Sequence, residues 1–559
     1  MNFLGLIIIS IILLSLGYVF YGRYLSRWLG LRPENPTPAH ILRNNVDFIP
    51  TGKTYLLGQH LSAIAAAGPI VGPILAGMWF GWIPTFLWIV LGGIFIGGVH
   101  DMTTIVASIR HQGSSIAEVI KENMSHRAFI LFLLFLWFSL VYIITAFTDI
   151  TAATFAETTR GAGIASSSML YLLLAFIMGL TLRRVELSLL ASTLIFMPVV
   201  FLCIWLGPIL PLHLPTLFGW DVKTTWNMAL LLYCFVAAVI PVWMLLQPRG
   251  YLGGFFLILT AGASFVGIII GHFTQHWTIQ YPAFISWSNP QGLPLLPILF
   301  ITVACGACSG FHCLIASGTT SKQLAKETDA KLVGYGGMLL ECFVAVIALS
   351  TVMILTTDQA AQLKDANQIY ANGIATFLST FGISREMALN FALLAFATFV
   401  YDTLDVATRL GRYIFQELTG WRGKFSAYAA TAVTLMLPVI FLTNPVHDAQ
   451  GNIVAGWKIF WTVFGSSNQL LAALVLFGLS LWLFRKGKNF LITLLPSIFM
   501  ILVAVVSLFI LIKPWLARTL SGQWSPDGIG ITGTLLLLLT FSLIIEGTRI
   551  FVSDNLKRR

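Results

Sequence analysis

The sequence predicts an all-α fold, an integral membrane bundle of about fifteen transmembrane helices. Of its 559 residues, 57% are hydrophobic and only 10% are charged, a composition far outside the range of soluble globular proteins. Fifteen separate stretches are apolar and long enough to cross the hydrocarbon core of a bilayer. The basic residues concentrate in every second loop between them, as expected of a protein that crosses the membrane many times.

The predicted spans follow one another through loops, without a large soluble insertion. They cover residues 3–22, 60–80, 83–108, 127–150, 164–182, 187–207, 227–247, 250–272, 297–320, 333–357, 386–410, 424–443, 456–481, 488–512 and 530–552. Because their number is odd, we expect the two ends of the chain on opposite sides of the membrane. The first span lacks a basic n-region and a small-residue cleavage site, which predicts a retained helix rather than a removable signal peptide.

The distribution of lysine and arginine predicts the orientation and narrows the function classes. With the N-terminus outside, 25 of the 32 basic residues fall on the inner side, an excess typical of the cytoplasmic face. The C-terminus is then cytoplasmic. No glycine-rich phosphate-binding loop occurs, which argues against ATP hydrolysis by this chain, and nothing indicates nucleic-acid binding. The six cysteines lie in apolar stretches and predict no disulfide framework.

The second span carries two Gly-Pro pairs in its middle, within HLSAIAAAGPIVGPILAGMWFGW at residues 60–82. Proline removes a helical hydrogen bond and glycine adds backbone freedom, so we expect the helix to break there. Lipid cannot satisfy the freed backbone groups, and the amide end of a half-helix attracts a carboxylate. The predicted substrate-binding residues are His60, Ala67, Gly68, Pro69, Ile70, Val71, Gly72, Pro73 and, in the seventh span, Pro241.

An inverted repeat is a further prediction. The seventh span lies five spans after the second, runs in the opposite direction and carries Pro241 and Pro248. Interrupted spans at matching positions of two inverted halves are typical of the leucine-transporter type of 5+5 repeat. A simple kink at Pro241 is the alternative. The predicted organisation is an N-terminal extra helix and cytoplasmic segment at 1–59, a transporter core at 60–410 with repeats at 60–207 and 227–410, and accessory helices at 411–559.

Ionisable side chains inside apolar spans are costly and are therefore functional candidates. In FVYDTLDVATRLGRY, Asp402, Asp405 and Arg409 share one helical stripe, which predicts either a buried ion-pair gate or a proton-exchange site. His100 and Asp101 lie about 100° apart around a helix, so we expect them to face different partners. The predicted proton-coupling or gating residues are His100, Asp101, His312, Glu341, Asp402, Asp405 and Arg409.

The ninth span, ITVACGACSGFHCLIASGTTSKQL, contains cysteines, a histidine and hydroxyl side chains. On a straight helix Cys305 and His312 are about 10 Å apart along the axis, so we do not expect a shared zinc ion, and no metal is predicted there. Ser317, Thr319 and Thr320 offer oxygen ligands for Na⁺. Apart from this candidate Na⁺ ion, no cofactor is predicted. Back-bonding of these hydroxyls to their own helix is the alternative.

Five blocks of the sequence resemble the carbon starvation protein family, CstA. They are NNVDFIPTGKTYLLGQHLSAIAAAGPIVGP, GGVHD, ACGACSGFHCLIASGTTSKQ, TLDVATRLGRYIFQEL and FGSSNQLLAALVL, in order from about Asn44 to Leu476. The resemblance implies a carrier of the bacterial or archaeal inner membrane, related to the amino acid/polyamine/organocation group. It also implies uptake of peptides and, in some members, of pyruvate with protons. The chain departs from the family pattern at Gln59, where many members have a second histidine beside His60.

The predicted function is a secondary active transporter, not an enzyme, that imports a small carboxylate such as pyruvate, or a short peptide, with H⁺ by alternating access. A bound proton shifts the balance between two conformations only through its different affinity for each. Na⁺-coupled symport of the same substrates is the first alternative. A passive channel and a membrane-embedded metal sensor or enzyme built on the cysteines are the others.

Overall fold

The protein is an α-helical bundle in the computed structural model, which describes residues 2–44, 48–65, 67–123, 125–185, 188–216, 218–363, 365–421, 423–444, 456–522 and 528–558. Within these ranges the only β-type pairings are two isolated bridges. The predicted all-α class is therefore confirmed. Four short π-helical segments continue helices rather than interrupt them, and the fourth begins the span that holds Glu341; they are Gly17–Tyr21, Gly93–Gly97, Ala316–Thr320 and Lys331–Gly336.

The α-helices are numbered in chain order. The first thirteen are α1 (Phe3–Leu16), α2 (Gly22–Leu29), α3 (Pro38–Ile41), α4 (Lys53–Ile64), α5 (Gly68–Phe80), α6 (Trp82–Gly92), α7 (Gly98–Arg110), α8 (Ile116–Asn123), α9 (His126–Phe155), α10 (Gly161–Val185), α11 (Leu189–Leu206), α12 (Val222–Val239) and α13 (Leu246–Gln275). The remainder are α14 (Leu295–Val303), α15 (Phe311–Ile315), α16 (Gly337–Met353), α17 (Thr357–Gln362), α18 (Ala366–Ser379), α19 (Arg385–Thr419), α20 (Lys424–Thr443), α21 (Gly456–Arg485), α22 (Leu491–Leu520) and α23 (Gly528–Arg558).

The predicted spans correspond to helices of the described chain. Thirteen helices are long and apolar enough to cross a membrane, or fourteen if the bent pair α4–α5 is one span. The predicted span at 187–207 corresponds to the shorter apolar helix Leu190–Leu206. The chain is thus a multi-pass membrane protein. The sequence did not predict α17 and α18, which lie between two spans. Their many polar residues made the partly buried face of these helices hard to recognise.

The break in the second span lies earlier than the sequence predicts. α4 ends at Ile64 and α5 begins at Gly68, with the two axes inclined by 48°. Both Gly-Pro pairs are inside α5, because Pro69 occupies its first turn, where an amide hydrogen has no helical acceptor. Pro73 follows one turn later, and only the helical hydrogen bond that its nitrogen would donate is lost. Gly68, Pro69, Gly72 and Pro73 therefore begin a half-helix rather than interrupt it.

A second break occurs in the ninth span, not in the seventh. α14 ends at Val303, a short 3₁₀ turn covers Ala304–Gly306, and α15 begins at Phe311. Pro241 lies in the loop between α12 and α13, where proline ends one helix and precedes the next. The predicted pairing of the second span with an interrupted seventh span is wrong in this respect. The boundaries of the predicted repeats, 60–207 and 227–410, stay a prediction.

The two broken spans pack directly against each other. A Cβ atom added to Gly68 would contact the side chain of Cys305. One added to Gly72 would contact the carbonyl oxygen of Thr302 and lie 3.1 Å from the Cα of Val303. Only a residue without a side chain permits this approach between two backbones, a packing mode common in membrane helices.

The two ends of the bundle differ in charge and in closure. Loops that the sequence places on the basic side contact one another, as in the 2.8 Å pair between Arg110 and Glu327. The Lys488 ammonium likewise donates to the Trp28 carbonyl at 2.8 Å. We call this the basic end. At the other end the loop 277–294 lies across the bundle, and its backbone at Ile285 donates to the Phe80 carbonyl at 3.1 Å.

We expect Gly72→Ala to lower the free energy of unfolding by about 1–3 kcal/mol, because the added methyl group meets backbone atoms that cannot rotate away. The measurement is the midpoint of thermal unfolding of the purified protein in detergent. Gly262→Ala is the matched control, since that helical glycine of α13 has nothing within 4 Å of an added Cβ. Equal midpoints for the two variants would contradict close packing of the broken spans.

Candidate functional site

Four ionisable side chains form a continuous buried series of contacts between α7, α15 and α16. His100 Nδ1 and His312 Nδ1 each lie 2.8 Å from a different carboxylate oxygen of Asp101. His312 Nε2 in turn lies 3.2 Å from a carboxylate oxygen of Glu341. All four side chains are fully buried. We call His100, Asp101, His312 and Glu341 the histidine–carboxylate chain, which can hold or pass a proton without exposing an isolated charge to lipid.

This geometry corrects two expectations. His100 and Asp101 share a contact instead of facing different partners, because an imidazole can reach sideways to the carboxylate of the next residue while the other carboxylate oxygen meets His312. Cys305 and His312 are not on one straight helix, because the break between α14 and α15 separates them. No group of three or more histidine, cysteine or acidic side chains in the described ranges is arranged to hold a metal ion.

His60, at the end of the half-helix α4, adjoins this chain. Its Nδ1 atom lies 2.8 Å from the hydroxyl of Thr320. Its ring faces Gly337 of α16, where an added Cβ would lie 3.1 Å from the His60 Cδ2 atom. Gly337 precedes Glu341 by one helical turn. His60 therefore lies between Thr320 and the Glu341 end of the histidine–carboxylate chain.

A second ionisable cluster joins α13 to α19. Arg249 is fully buried and forms an ion pair with Asp405 through Nη1. Its Nε atom lies 3.3 Å from Asp402 Oδ1. The guanidinium carbon lies 4.5 Å from the ring centre of Tyr401, a cation–π distance. We call Arg249, Asp402 and Asp405 the arginine–aspartate cluster.

Hydroxyl groups attach this cluster to two further helices. The Tyr233 hydroxyl of α12 accepts from Arg249 Nη1 at 2.7 Å and donates to Asp405 at 2.7 Å. The Ser62 hydroxyl of α4 donates to the other carboxylate, Asp402. Since His60 of the same half-helix contacts Thr320, the last turns of α4 lie between the two ionisable networks.

The predicted ion pairs within the α19 stripe do not form. Arg409 instead donates through Nη2 to the carbonyl oxygens of Ala237 and Ile240, at 2.6 and 2.5 Å. These carbonyls belong to the end of α12, where helical donors run out and a cation is favourable. The two aspartates of the stripe pair instead with Arg249, which belongs to another helix.

A cavity of about 280 Å³ reaches the end of α4 from the basic end. Its walls include His60, Asp402 of the arginine–aspartate cluster, and the charged side chains Lys322 and Glu417. The predicted residues that line it are His60, Ser317, Thr319, Thr320, Asp402 and Arg409. Water and a small solute therefore have a place beside the ionisable side chains His60 and Asp402.

A larger cavity of about 800 Å³ continues from the first. The two share Gln247, Arg409 and Tyr413 in their walls. Pro241, a predicted substrate-binding residue, lines this outer cavity rather than a site at the centre of the bundle. Together the two cavities form a passage from the basic end to the inner half-helix.

The other predicted substrate-binding residues are packed away from this passage. Ala67 and the run from Gly68 to Pro73 are buried, and neither cavity includes them in its walls. The amides of Ile70 and Val71 both bond to the Ala67 carbonyl, at 3.1 and 2.8 Å. A role for these residues in substrate binding stays a prediction.

The second break is satisfied by polar side chains of α21. The Asn468 amide group accepts from the Phe311 amide at 2.8 Å and donates to the Ser309 hydroxyl at 3.0 Å. The neighbouring Gln469 donates to the Cys308 carbonyl at 3.0 Å. These bonds replace the helical partners that the backbone loses between α14 and α15.

The predicted sodium-binding hydroxyls all have protein partners. Ser317 donates to the Cys313 carbonyl at 2.7 Å and Thr319 to the Ile315 carbonyl at 2.9 Å. Thr320 is the exception to back-bonding, because its hydroxyl contacts His60. Na⁺ binding at these three residues stays a prediction.

Sequence reasoning missed Arg249, Ser62 and Asn468. Arg249 counts among the basic residues of the predicted inner loops, yet two aspartates in one span require a cation nearby. The polar run SSNQ inside the apolar span 456–481 is the signal that points to Asn468. Ser62 carries no signal of its own, since hydroxyls are common in membrane helices.

Comparison with known proteins gives a consistent result. The family model described as Carbon starvation protein CstA matches residues 2–370 and 362–507. The peptide transporter CstA of Helicobacter pylori strain J99 is 32% identical over 92% of this chain and 82% of its own length. The pyruvate/proton symporter BtsT of Escherichia coli is 30% identical over 89% of this chain and 80% of its own length.

Among solved structures, MhsT in complex with L-phenylalanine superimposes on 90% of this chain and 99% of its own, with 12% identity and a TM-score of 0.47.

We expect Asn468→Ala to destabilise the protein by about 2–3 kcal/mol, because the Phe311 amide would be left buried without an acceptor. Loosening of the break should also make Cys305, which is buried beside Asn468, reactive towards a membrane-permeant maleimide. Mass spectrometry of labelled peptides, with thermal unfolding in detergent, measures both effects. Asn444→Ala, at an exposed helix end, is the control. An unlabelled Cys305 and an unchanged midpoint would contradict this role.

Proposed function

Because this chain belongs to the carbon starvation protein CstA family, we propose that it imports a small carboxylate such as pyruvate, or a short peptide, together with protons by alternating access. The family assignment agrees with the sequence motifs and makes the chain a transporter rather than an enzyme. The relatives differ in substrate, peptides for one and pyruvate for the other. The proposal therefore concerns which substrate and which coupling ion this chain uses.

The observation that carries the proposal is the cavity of about 280 Å³ between His60 and Asp402. It ends at the half-helix α4, which hydrogen bonds attach to Thr320 through His60 and to Asp402 through Ser62. A bound solute and a bound proton would thus act on the same half-helix. Such a shared element is what coupling requires, because each ligand must favour one conformation over the other.

The size of the cavity favours a small carboxylate. Pockets for drug-sized ligands occupy roughly 300–1,000 Å³, and the inner cavity is at the lower limit of that range. The outer cavity, at about 800 Å³, has room for a short peptide on the way from the inner one to the basic end. Pyruvate is our first candidate and a dipeptide the second.

The closure of the bundle supports alternating access from an inward-facing state. Both cavities lie towards the basic end, and the loop 277–294 covers the opposite end. With the basic end in the cytoplasm, as the distribution of lysine and arginine predicts, the structure faces inward. The proposed location is the inner membrane of a bacterium or archaeon, with the N-terminus outside.

The histidine–carboxylate chain supports protons as the coupling ion. His60 lines the cavity, and its ring faces Gly337, which precedes Glu341 of the buried chain by one helical turn. Imidazole is the side chain whose charge changes most readily near neutral pH. Sodium remains the alternative ion, with Ser317, Thr319 and Thr320 as its proposed ligands.

We expect purified protein in liposomes to accumulate labelled pyruvate when the outside is more acidic, and not when only a Na⁺ gradient is imposed. One proton per substrate gives an accumulation ratio of about tenfold for a gradient of one pH unit. A dipeptide panel added in excess tests whether peptides compete. Liposomes without protein and liposomes without a gradient are the controls.

Flux of pyruvate that never saturates and never exceeds the outside concentration would instead indicate a passive channel. Accumulation driven by Na⁺ alone would replace the proton in the proposal. Bound zinc or iron in the purified protein would support a metal sensor.

We expect Thr320→Ala to leave uptake insensitive to Na⁺, as in the unmodified protein, and to reduce the rate of proton-driven uptake several-fold because His60 loses its fixed orientation. Thr274→Ala is the matched control, since its exposed hydroxyl bonds to the Ile270 carbonyl of its own helix and it lines neither cavity. A Na⁺ response that is present in the unmodified protein and lost in Thr320→Ala would contradict the expectation.

A further inference from the structure

Arg249 faces two carboxylates with one positive charge. Asp402 and Asp405 both lie within ion-pair distance of its guanidinium, and all three side chains are buried. Two buried carboxylates of like charge that share one cation are poorly neutralised, because the second has no counter-charge of its own. One of the two is therefore the member that most readily accepts a proton or leaves the cation.

The two carboxylates are held very differently. Asp405 contacts Arg249 Nη1 directly and is also bridged to it by the Tyr233 hydroxyl, with both bonds at 2.7 Å. Asp402 only approaches the edge of the guanidinium, 3.3 Å from Nε, and lacks hydrogen-bond geometry to it. Asp402 also lines the inner cavity, whereas Asp405 does not. Asp405 is the fixed partner and Asp402 the exchangeable one.

The guanidinium has unused donors on the side of Asp402. Among the described residues, neither Nε nor Nη2 of Arg249 has a hydrogen-bond partner, although the side chain is fully buried. Leu246, Gln247 and Gly250, which lie within three residues of Arg249 on α13, line the cavity, although Arg249 itself does not. Nε and Nη2 form the planar edge of a guanidinium that a carboxylate binds with two parallel bonds.

We propose that Arg249 binds the carboxylate of the substrate by exchange with Asp402, which takes up the coupling proton as it leaves. This inference rests on the proposed function and names the site and the charge balance of that transport. The substrate carboxylate accepts hydrogen bonds from Nε and Nη2. Asp402, no longer beside a cation, accepts the one proton that enters with the anion and becomes neutral.

The exchange conserves charge. Before binding, the site holds one guanidinium and two carboxylates; afterwards it holds the guanidinium, Asp405, the substrate anion and a neutral Asp402. One monoanion and one proton enter together, so the transport step moves no net charge across the membrane. The substrate class that fits is a monocarboxylate, because a zwitterionic dipeptide with one proton would carry a net positive charge.

The groups that face the exchanging pair come from each helix packed against it. They are Ser62 of α4, Tyr171 of α10, Tyr233 and Cys234 of α12, Arg249 of α13, and Tyr401 and Arg409 of α19. Tyrosine and cysteine are neutral near pH 7 and the arginines stay charged. Asp402 and Asp405 are therefore the only groups of this set that change charge in the working range.

The exchange also reaches the half-helix α4. Ser62 donates to Asp402 in the present arrangement. When Asp402 is protonated and leaves Arg249, this bond to an ionised acceptor is lost, and charge-assisted bonds are the stronger kind. Binding of the anion and the proton thus releases α4 from α19, which is the movement that alternating access needs.

The test imposes the pH gradient and the membrane potential independently on liposomes whose membranes contain the purified protein. A potassium gradient with valinomycin sets the potential, and buffers set the pH on each side. We expect labelled pyruvate uptake to follow the pH gradient, and its initial rate to change less than twofold when an inside-negative potential is added. Uptake that rises several-fold with the potential alone would overturn the electroneutral exchange.

Two substitutions test the residues. Asp402→Asn should abolish accumulation driven by the pH gradient while pyruvate counterflow continues, because Arg249 still binds the anion but no proton is taken up. Arg249→Lys should raise the KM for pyruvate roughly tenfold or more in counterflow, because lysine lacks the planar pair of donors. The matched controls are Asp358→Asn and Arg184→Lys at exposed positions, which should behave as the unmodified protein.

Accumulation retained in Asp402→Asn, or an unchanged KM in Arg249→Lys, would overturn the exchange while leaving a pyruvate transporter. Absence of pyruvate uptake by the unmodified protein, under any gradient and in counterflow, would instead refute pyruvate as the substrate in the proposed function.

Discussion

Backbone groups that lose their helical partners inside a membrane must be satisfied by the protein itself, and this constraint governs the arrangement of the bundle. Two spans break, at the junctions α4–α5 and α14–α15. Gly68 and Gly72 let the two breaks approach until backbone meets backbone. Asn468 of α21 supplies the bonds that the second break lacks. A helix from the C-terminal region, which the sequence assigned to accessory structure, thus contacts the centre of the bundle.

The breaks create a short half-helix, α4, that is held by hydrogen bonds of buried polar side chains as well as by apolar packing. His60 attaches it to Thr320 beside the histidine–carboxylate chain, and Ser62 attaches it to Asp402 of the arginine–aspartate cluster. Each attachment includes a buried ionisable side chain, His60 or Asp402. A charge on such a side chain is costly in a low-dielectric environment when its partner is lost. The same half-helix ends at the cavity, so an anion and a proton bound there act on one element. This is the physical basis for coupling in the proposed transporter.

Much of the fold and part of the site are readable from residue type and order. The apolar stretches predict the spans because the bilayer sets their length, and the buried Asp101, Glu341 and Asp402 stand out because charge is rare there. The Gly-Pro pairs predict a break within a few residues of the one observed. The second break has no proline, so the sequence does not mark it as an interrupted helix. Arg249 was overlooked because a cation at the end of a span usually serves as an interfacial anchor.

The sequence by itself determined an all-helical membrane protein, its family and which ionisable side chains lie within the spans, because these follow from composition, from hydropathy along the chain and from local motifs. Only the tertiary structure decided which charges pair. Arg249 meets Asp405 across 156 positions of sequence, and His312 meets Asp101 across 211. Such pairs depend on how helices pack in three dimensions, and no local spacing encodes them. The same holds for the cavity, since empty space is a property of the whole bundle and not of any one of its helices.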